Sequence, residues 1–115
     1  APFHCELIKN ASIKLEDEMT NQTFNNFIFP LYSNVTAEPC NNHTIKNLLV
    51  RQIISRVRWR ECIENMINDG VDYFIEIGPG NVLTNLIKRI NKEVKAISIC
   101  SVEDLEKIKL VDFDS

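Results

Sequence analysis

Val71-Asp72-Tyr73-Phe74-Ile75-Glu76-Ile77-Gly78-Pro79-Gly80-Asn81-Val82-Leu83-Thr84-Asn85-Leu86-Ile87 joins a β-favouring run to a helical pattern through a turn containing two glycines. Val71 to Ile77 reads as a buried strand, because it is rich in apolar, aromatic and β-branched residues and is bounded by turn signals. Val82, Leu83, Leu86, Ile87 and Ile90 then recur at helical spacing on one expected face, with Asn81 as the expected N-cap. A glycine turn that feeds a helix N-terminus can bind phosphate through unpaired N–H groups and the helix dipole. This turn lacks both the Lys-Ser/Thr of a Walker loop and the spacing of a dinucleotide fingerprint, so a tight strand-to-helix connection is the better reading.

Outward from that unit, Lys95 to Ile99 reads as another strand, and Ser101-x-x-Asp104 offers a capping box for a short helix through about Lys109. The acidic residues after Leu110 read as a frayed tail, 111–115, beyond a domain portion of 1–110. Upstream, Ile45 to Arg60 reads as helical. Ile45, Leu48, Leu49 and Gln52 fall at i, i+3, i+4 and i+7, so the Gln52 amide shares an apolar face and needs partners there. Trp59, Cys62, Ile63, Met66 and Ile67 form a second stripe, ended by Gly70 at a C-cap position. Leu31 to Val35 follows Pro30 and reads as a short strand ended by Glu38-Pro39, and Ile8, Ala11, Leu15 and Met19 mark one face of a first helix. Three strands alternating with helices imply a parallel sheet covered by helices, an α/β fold.

Composition narrows the function. With 44% hydrophobic and 25% charged residues the chain is ordinary for a globular protein, and its net charge of −3 argues against a general nucleic-acid binder. A chain of this length buries roughly 65% of its unfolded surface, enough for one small domain or part of one. No apolar run suggests a membrane span. Cys5, Cys40, Cys62 and Cys100 are widely spaced, which disfavours a zinc site and, with no secretory signal in view, favours reduced thiols. The Asn-x-Ser/Thr matches at Asn10, Asn21, Asn34 and Asn42 reflect Asn richness rather than glycosylation, so the expected location is cytoplasmic (bacterial) or organellar.

Ala1-Pro2-Phe3-His4-Cys5, Ser33-Asn34-Val35-Thr36-Ala37-Glu38-Pro39, Leu49-Val50-Arg51-Gln52, Val57-Arg58-Trp59 and Glu76-Ile77-Gly78-Pro79-Gly80-Asn81-Val82-Leu83 occur in the order seen in malonyl-CoA:acyl carrier protein transacylases. The chain resembles that family over essentially residues 1–100. The resemblance implies the C-terminal part of an α/β-hydrolase-like large subdomain, with a parallel sheet and flanking helices, belonging to a longer enzyme. It implies malonyl transfer from coenzyme A to the phosphopantetheine thiol of acyl carrier protein, by a Ser-His acyl-enzyme route whose Gly-His-Ser-x-Gly nucleophile turn is not in this sequence. An N-terminal portion carrying that nucleophile is therefore expected, and this chain alone is expected to be inactive.

By the same resemblance His4 is the catalytic general base and acid, Gln52 lines the substrate site near it, and Phe3 fits the malonyl-selective version of the motif. Cofactors are none and metal none, the substrates being malonyl-CoA and phosphopantetheinylated acyl carrier protein. Without the motif, a lone His is an ordinary surface or packing residue. Cys5 and Glu6 stand where the family often has Ser and Pro, and Arg56 replaces a frequent Pro. A Cys5 nucleophile is disfavoured because neighbouring side chains on an extended segment point to opposite faces. His43, in a polar loop, reads as an exposed residue. Arg51, Arg56 and Arg58 lie in a basic stretch that is either a solvated surface or, by resemblance, a contact for the acidic carrier protein. A different class also fits the fold elements: a small non-catalytic α/β module that binds or supports. An upstream Gly-His-Ser-x-Gly in the reading frame separates the two.

Overall fold

The computed structural model describes residues 6–109, apart from the side chains of Lys107 and Lys109. The chain divides between Asn65 and Met66 into two compact units. The first holds α1 (Glu6–Thr20), β1 (Leu31–Tyr32), β2 (Pro39–Cys40), α2 (Ile45–Ile54) and most of α3 (Trp59–Asn68). The second continues through β3 (Tyr73–Ile77), α4 (Val82–Ile90), β4 (Lys95–Ile99) and α5 (Val102–Lys109). His4 and Phe3, together with Cys5, lie outside the described residues.

In the first unit, α1 packs on α2. Ile8, Leu15 and Met19 are half-buried as their spacing requires, but Ser12 completes the face and Ala11 is exposed. The helical region expected from Ile45 to Arg60 is broken. Ser55 takes an extended conformation at the end of α2, and the Arg58 N–H donates to the carbonyl of Asn34 at 2.8 Å instead of continuing a helical ladder. In α3, Cys62 and Ile63 are buried and Trp59, Met66 and Ile67 half-buried. The helix ends as expected at Gly70, with φ 106°. Gly70 N–H donates to Ile67 O and Val71 N–H to Met66 O, the paired bonds of a Schellman cap.

The strand expected at Leu31 to Val35 and its place in the parallel sheet need correction. Only Leu31–Tyr32 is extended, and it pairs antiparallel with Pro39–Cys40, in a sheet separate from that of β3 and β4. The cause is the reversal between them. Ala37 N–H donates to Ser33 O at 2.8 Å, Ser33 N–H donates to Glu38 O at 3.1 Å, and the Ser33 hydroxyl accepts from Val35 N–H at 3.1 Å. Ser and Thr side chains here compete with a ladder for the backbone donors. Pro39, expected to end a strand, sits within the returning one, where an edge position spares its missing N–H.

In the second unit β3 and β4 pair in parallel, from Tyr73 opposite Lys95 to Ile77 opposite Ile99. Both strands pack against α4, and β4 also packs against α5. Phe74, Ala96, Thr84 and Ile87 are buried. The expected α4 face divides: Ile87 is buried and Leu86 and Ile90 half-buried, while Val82 is 67% and Leu83 41% exposed. Thr84 takes the core position in their place. Half of the expected α5 capping box forms, with Asp104 N–H donating to the Ser101 hydroxyl at 3.2 Å, while the Asp104 carboxylate accepts Cys100 N–H at 3.1 Å, one residue before the N-cap.

Candidate active-site region

Gln52 lies in the last turns of α2, whose Ile45 and Leu48 are buried and whose Leu49 is half-buried. Gln52 itself is half-buried, and no buried side-chain nitrogen or oxygen among the described residues lacks a partner. Immediately after it, the Ser55–Arg58 linker is tied to the Ser33–Glu38 reversal by the start of α3. Arg58 is central. Its Nη1 donates to Thr36 O at 3.1 Å and its Nε to Glu61 Oε2 at 2.8 Å, with Nη2 on the same carboxylate oxygen. The hydrogen bond from Arg58 holds the Glu61 carboxyl below its ordinary range, and the same bond raises the Arg58 guanidinium further.

Two further side chains of α3 grip the reversal. The Cys62 thiol donates to Ser33 O at 3.3 Å and lies 3.7 Å from Asn34 Oδ1; the Asn65 amide donates to Ala37 O at 2.7 Å. Ala37 is fully buried at φ 60°, a left-handed conformation that a non-glycine residue keeps only when its surroundings enforce it. Burial pushes the Cys62 thiol up, which suits a packing and donor role better than a nucleophilic one.

Arg58 is thus committed within the fold, whereas Arg51 and Arg56 are exposed and carry no ion pair among the described residues. Arg51 borders a polar cleft of about 450 Å³ that also includes Thr36, Cys40, His43 and Asn47. His43 is exposed, its backbone N–H donating to Asn41 Oδ1 at 2.9 Å in a local turn. Desolvation by burial raises the Cys40 thiol. Cys40, Cys62 and Cys100 are all free thiols.

The turn after β3 carries a carboxylate of its own on two N–H groups at the start of α4. Glu76 crosses it and caps α4: Oε1 accepts Thr84 N–H at 3.0 Å and the Thr84 hydroxyl at 2.8 Å, and Oε2 accepts Leu83 N–H at 3.3 Å. The hydrogen bond from the Thr84 backbone is the main cause of its carboxyl falling below the usual range. Asn81 occupies the N-cap position but makes no side-chain capping bond, so the expected cap is replaced by one from the strand. Gly78 at φ 142° and Gly80 at φ 84° provide the backbone path. Beyond the turn an apolar cleft of about 630 Å³, lined by Ile77, Pro79, Ile99, Val102 and Leu105, opens at the carboxyl ends of both parallel strands.

The structure therefore positions Gln52 and the three arginines but does not reach His4 or Phe3, and it brings Arg58, not Gln52, into the hydrogen-bonded cluster. Sequence reasoning missed the α3 grip on the Ser33–Glu38 reversal and the Glu76 cap. The second had a signal, a lone carboxylate in the otherwise apolar run Tyr73–Ile77. Among the described residues no group of His, Cys, Asp and Glu is arranged to hold a metal ion, and no helix is long and apolar enough to cross a membrane.

No protein-family profile matches the chain. It is 40% identical over 106 residues to the malonyl CoA-acyl carrier protein transacylase of Bacillus subtilis (strain 168), covering 91% of this chain and 33% of that protein. The crystal structure of the malonyl CoA-acyl carrier protein transacylase from Clostridium perfringens superposes with a TM-score of 0.85 at 40% identity, over 96% of this chain and 35% of that one. A malonyl-transacylase solved in complex with a type II polyketide acyl-carrier protein gives 0.82 at 36% identity, over 90% and 34%. The chain spans about a third of the length of these relatives, and the similarity lies in their C-terminal part.

Proposed function

We propose that this chain, similar in sequence and fold to the C-terminal third of malonyl CoA-acyl carrier protein transacylases, is part of an enzyme that moves malonate from coenzyme A to the phosphopantetheine thiol of acyl carrier protein. The supporting observation is the 40% identity that runs through 106 residues, together with a TM-score of 0.85 for the fold. In this reading a Ser elsewhere in the longer polypeptide attacks the malonyl thioester while His4 takes its proton. The C–S bond breaks, and His4 returns the proton to the departing coenzyme A thiolate. The carrier thiol then repeats the steps in reverse: His4 removes the thiol proton, the thiolate takes the malonyl group, and the Ser oxygen regains a proton. Gln52 lines the site beside His4, and the Phe3 ring crowds an α-methyl branch on the acyl group.

The chemistry needs no metal or cofactor, and the enzyme works in the cytoplasm or an organelle. Arg51 and Arg56 supply exposed positive charge for steering the acidic carrier. Arg58, whose side chain is 41% exposed, adds less free charge to that surface because it is paired with Glu61. Labelled malonyl-CoA and holo acyl carrier protein, incubated with the longer polypeptide, give malonyl carrier. His4→Ala lowers turnover by about 10²–10⁴-fold and Gln52→Ala by less. Unchanged turnover in the His4 variant would remove it from the mechanism. The 115-residue chain alone gives no transfer, having the His4 base but no Gly-His-Ser-x-Gly nucleophile turn.

A further inference from the structure

A cleft of about 510 Å³ lies at the amino ends of β3 and β4, at the other end of both strands from the Gly78–Gly80 turn. Three lysines line it: Lys88 from the last turn of α4, Lys92 from the connection that follows, and Lys95 from the first position of β4. All three are exposed, and none enters an ion pair among the described residues. Asp72 and Glu93, the carboxylates adjoining the cleft in sequence, are exposed and do not line it. The carboxyl end of α4 carries about half a negative charge, which accounts for Lys88 in its last turn. Lys92 and Lys95 lie beyond the helix. Half a negative charge against three full positive ones leaves the cleft cationic, in a chain whose net charge is −3.

The rest of the wall is apolar. Tyr73 stands opposite Lys95 in the strand register, so their side chains share one face of the sheet, and Ile97 follows two residues on along that face. Tyr73, Ile97 and Val94 all line the cleft and are half-buried. Ammonium groups are compact charges with three donors each, suited to phosphate oxygens. A bare inorganic anion satisfies the lysines and leaves the apolar wall uncovered, whereas a phosphate chain joined to a flat ring engages both. The cleft volume falls in the range of roughly 300–1,000 Å³ that small-molecule sites occupy.

We propose that this cleft binds a nucleoside di- or triphosphate, with its phosphates on Lys88, Lys92 and Lys95 and its base on the wall formed by Tyr73 and Ile97. The site is separate from the residues assigned to malonyl transfer and does not rest on that reaction. Its ligand chemistry, a base joined to a phosphate chain, occurs in free nucleotides and also in the nucleotide end of coenzyme A.

Titration calorimetry of the longer polypeptide at low ionic strength, with ADP, pyrophosphate and adenosine as probes, tests the proposal. ADP binds about tenfold more tightly than pyrophosphate, adenosine alone gives no measurable heat, and added salt weakens the ADP complex. The double variant Lys92→Gln, Lys95→Gln weakens ADP binding by about tenfold or more, since two charge-assisted hydrogen bonds are lost. Both lysines are exposed, so the melting of the variant matches the parent and reports an intact fold. Absence of ADP binding, or equal ADP binding by parent and variant, would overturn the proposal. Pyrophosphate binding as tight as ADP would reduce the cleft to a simple anion site and overturn the base contact. A glutamate-rich peptide that displaces ADP at lower concentration than pyrophosphate does would give the surface to an acidic protein and overturn it as well. A coenzyme A titration identifies the source: a loss confined to ADP in the double variant assigns the cleft to free nucleotides, and an equal loss for coenzyme A assigns it to either. Each measurement reads binding, so failure of malonyl transfer leaves the result standing.

Discussion

The Asn65→Ala substitution should loosen the Ser33–Glu38 reversal by an amount the structure allows to be worked out. The Asn65 amide donates to the carbonyl of Ala37 at 2.7 Å, and Ala37 is 0% exposed. Water cannot readily replace the donor there, so the loss includes desolvation of the carbonyl as well as the bond itself. That places the cost at about 2 kcal/mol, within the ~1–3 kcal/mol range for stranding a buried acceptor. A second variant separates the bond from packing. Asn65→Asp keeps the side-chain size but points a carboxylate oxygen at a carbonyl oxygen, so the ionised form is destabilised and its folded pKa is raised above the unfolded value. A raised folded pKa means that the stabilising contribution is present below the unfolded pKa and is lost as pH rises through the folded one. Asn65→Asp should therefore approach the parent in acid and fall below Asn65→Ala near neutrality. Urea unfolding followed by the fluorescence of Trp59, half-buried on the same helix, measures all three proteins. An Asn65→Ala variant within about 0.5 kcal/mol of the parent, the range of an ordinary surface change, would refute the reasoning. So would an Asn65→Asp variant without pH dependence.

Other outcomes follow from the second unit and from the proposed reaction. Ile87→Ala, at a residue 5% exposed, should cost about 2–4 kcal/mol, while Val82→Ala, 67% exposed, should stay within about 0.5 kcal/mol; denaturation of the two variants distinguishes the observed α4 face from the one its periodicity suggests. Because the folded Glu76 carboxyl is held below its ordinary range by the Thr84 and Leu83 donors, its contribution is present above the unfolded value and disappears as pH falls through the folded one. The protection factor of the Thr84 amide, its exchange rate referred to that of an unstructured amide at the same pH, should accordingly fall on acidification, and Glu76→Gln should weaken that pH dependence; an unchanged pH profile in the variant would assign the effect elsewhere. In the transfer assay, charge reversal at Arg51 and Arg56 should raise KM for the carrier protein more than kcat falls, and the difference should shrink with added salt. Equal effects on KM for malonyl-CoA would argue against carrier steering.

The sequence by itself determined the elements whose signals are local. A strand ending at Ile77, the Gly70 cap, the Ser101 cap of α5 and the helices beginning near Ile45 and Val82 can be read from propensity, periodicity and turn chemistry, because neighbouring residues dictate them. The motifs around His4, Gln52 and Glu76 pointed to the malonyltransferases in the same way. Tertiary structure decided the rest. Leu31–Val35 has the composition of a strand, but Ser33 and Ala37 hydrogen bonds turn the chain back and pair it with Pro39–Cys40. The Ile45–Arg60 pattern looks continuous, yet Arg58 N–H leaves the helical ladder for Asn34 O. Arg58 reads as one of several surface cations until its guanidinium, besides the local pair with Glu61, is found on the carbonyl of Thr36, 22 residues away in sequence. Asn81 has the identity of an N-cap, but Glu76, held across the turn by the strand, reaches the free N–H groups of α4 and satisfies them with a full charge. The bonds from Arg58 to Asn34 O and Thr36 O show the reason most clearly: they join groups more than 20 residues apart, and such a pairing depends on distances that exist only once the chain has folded.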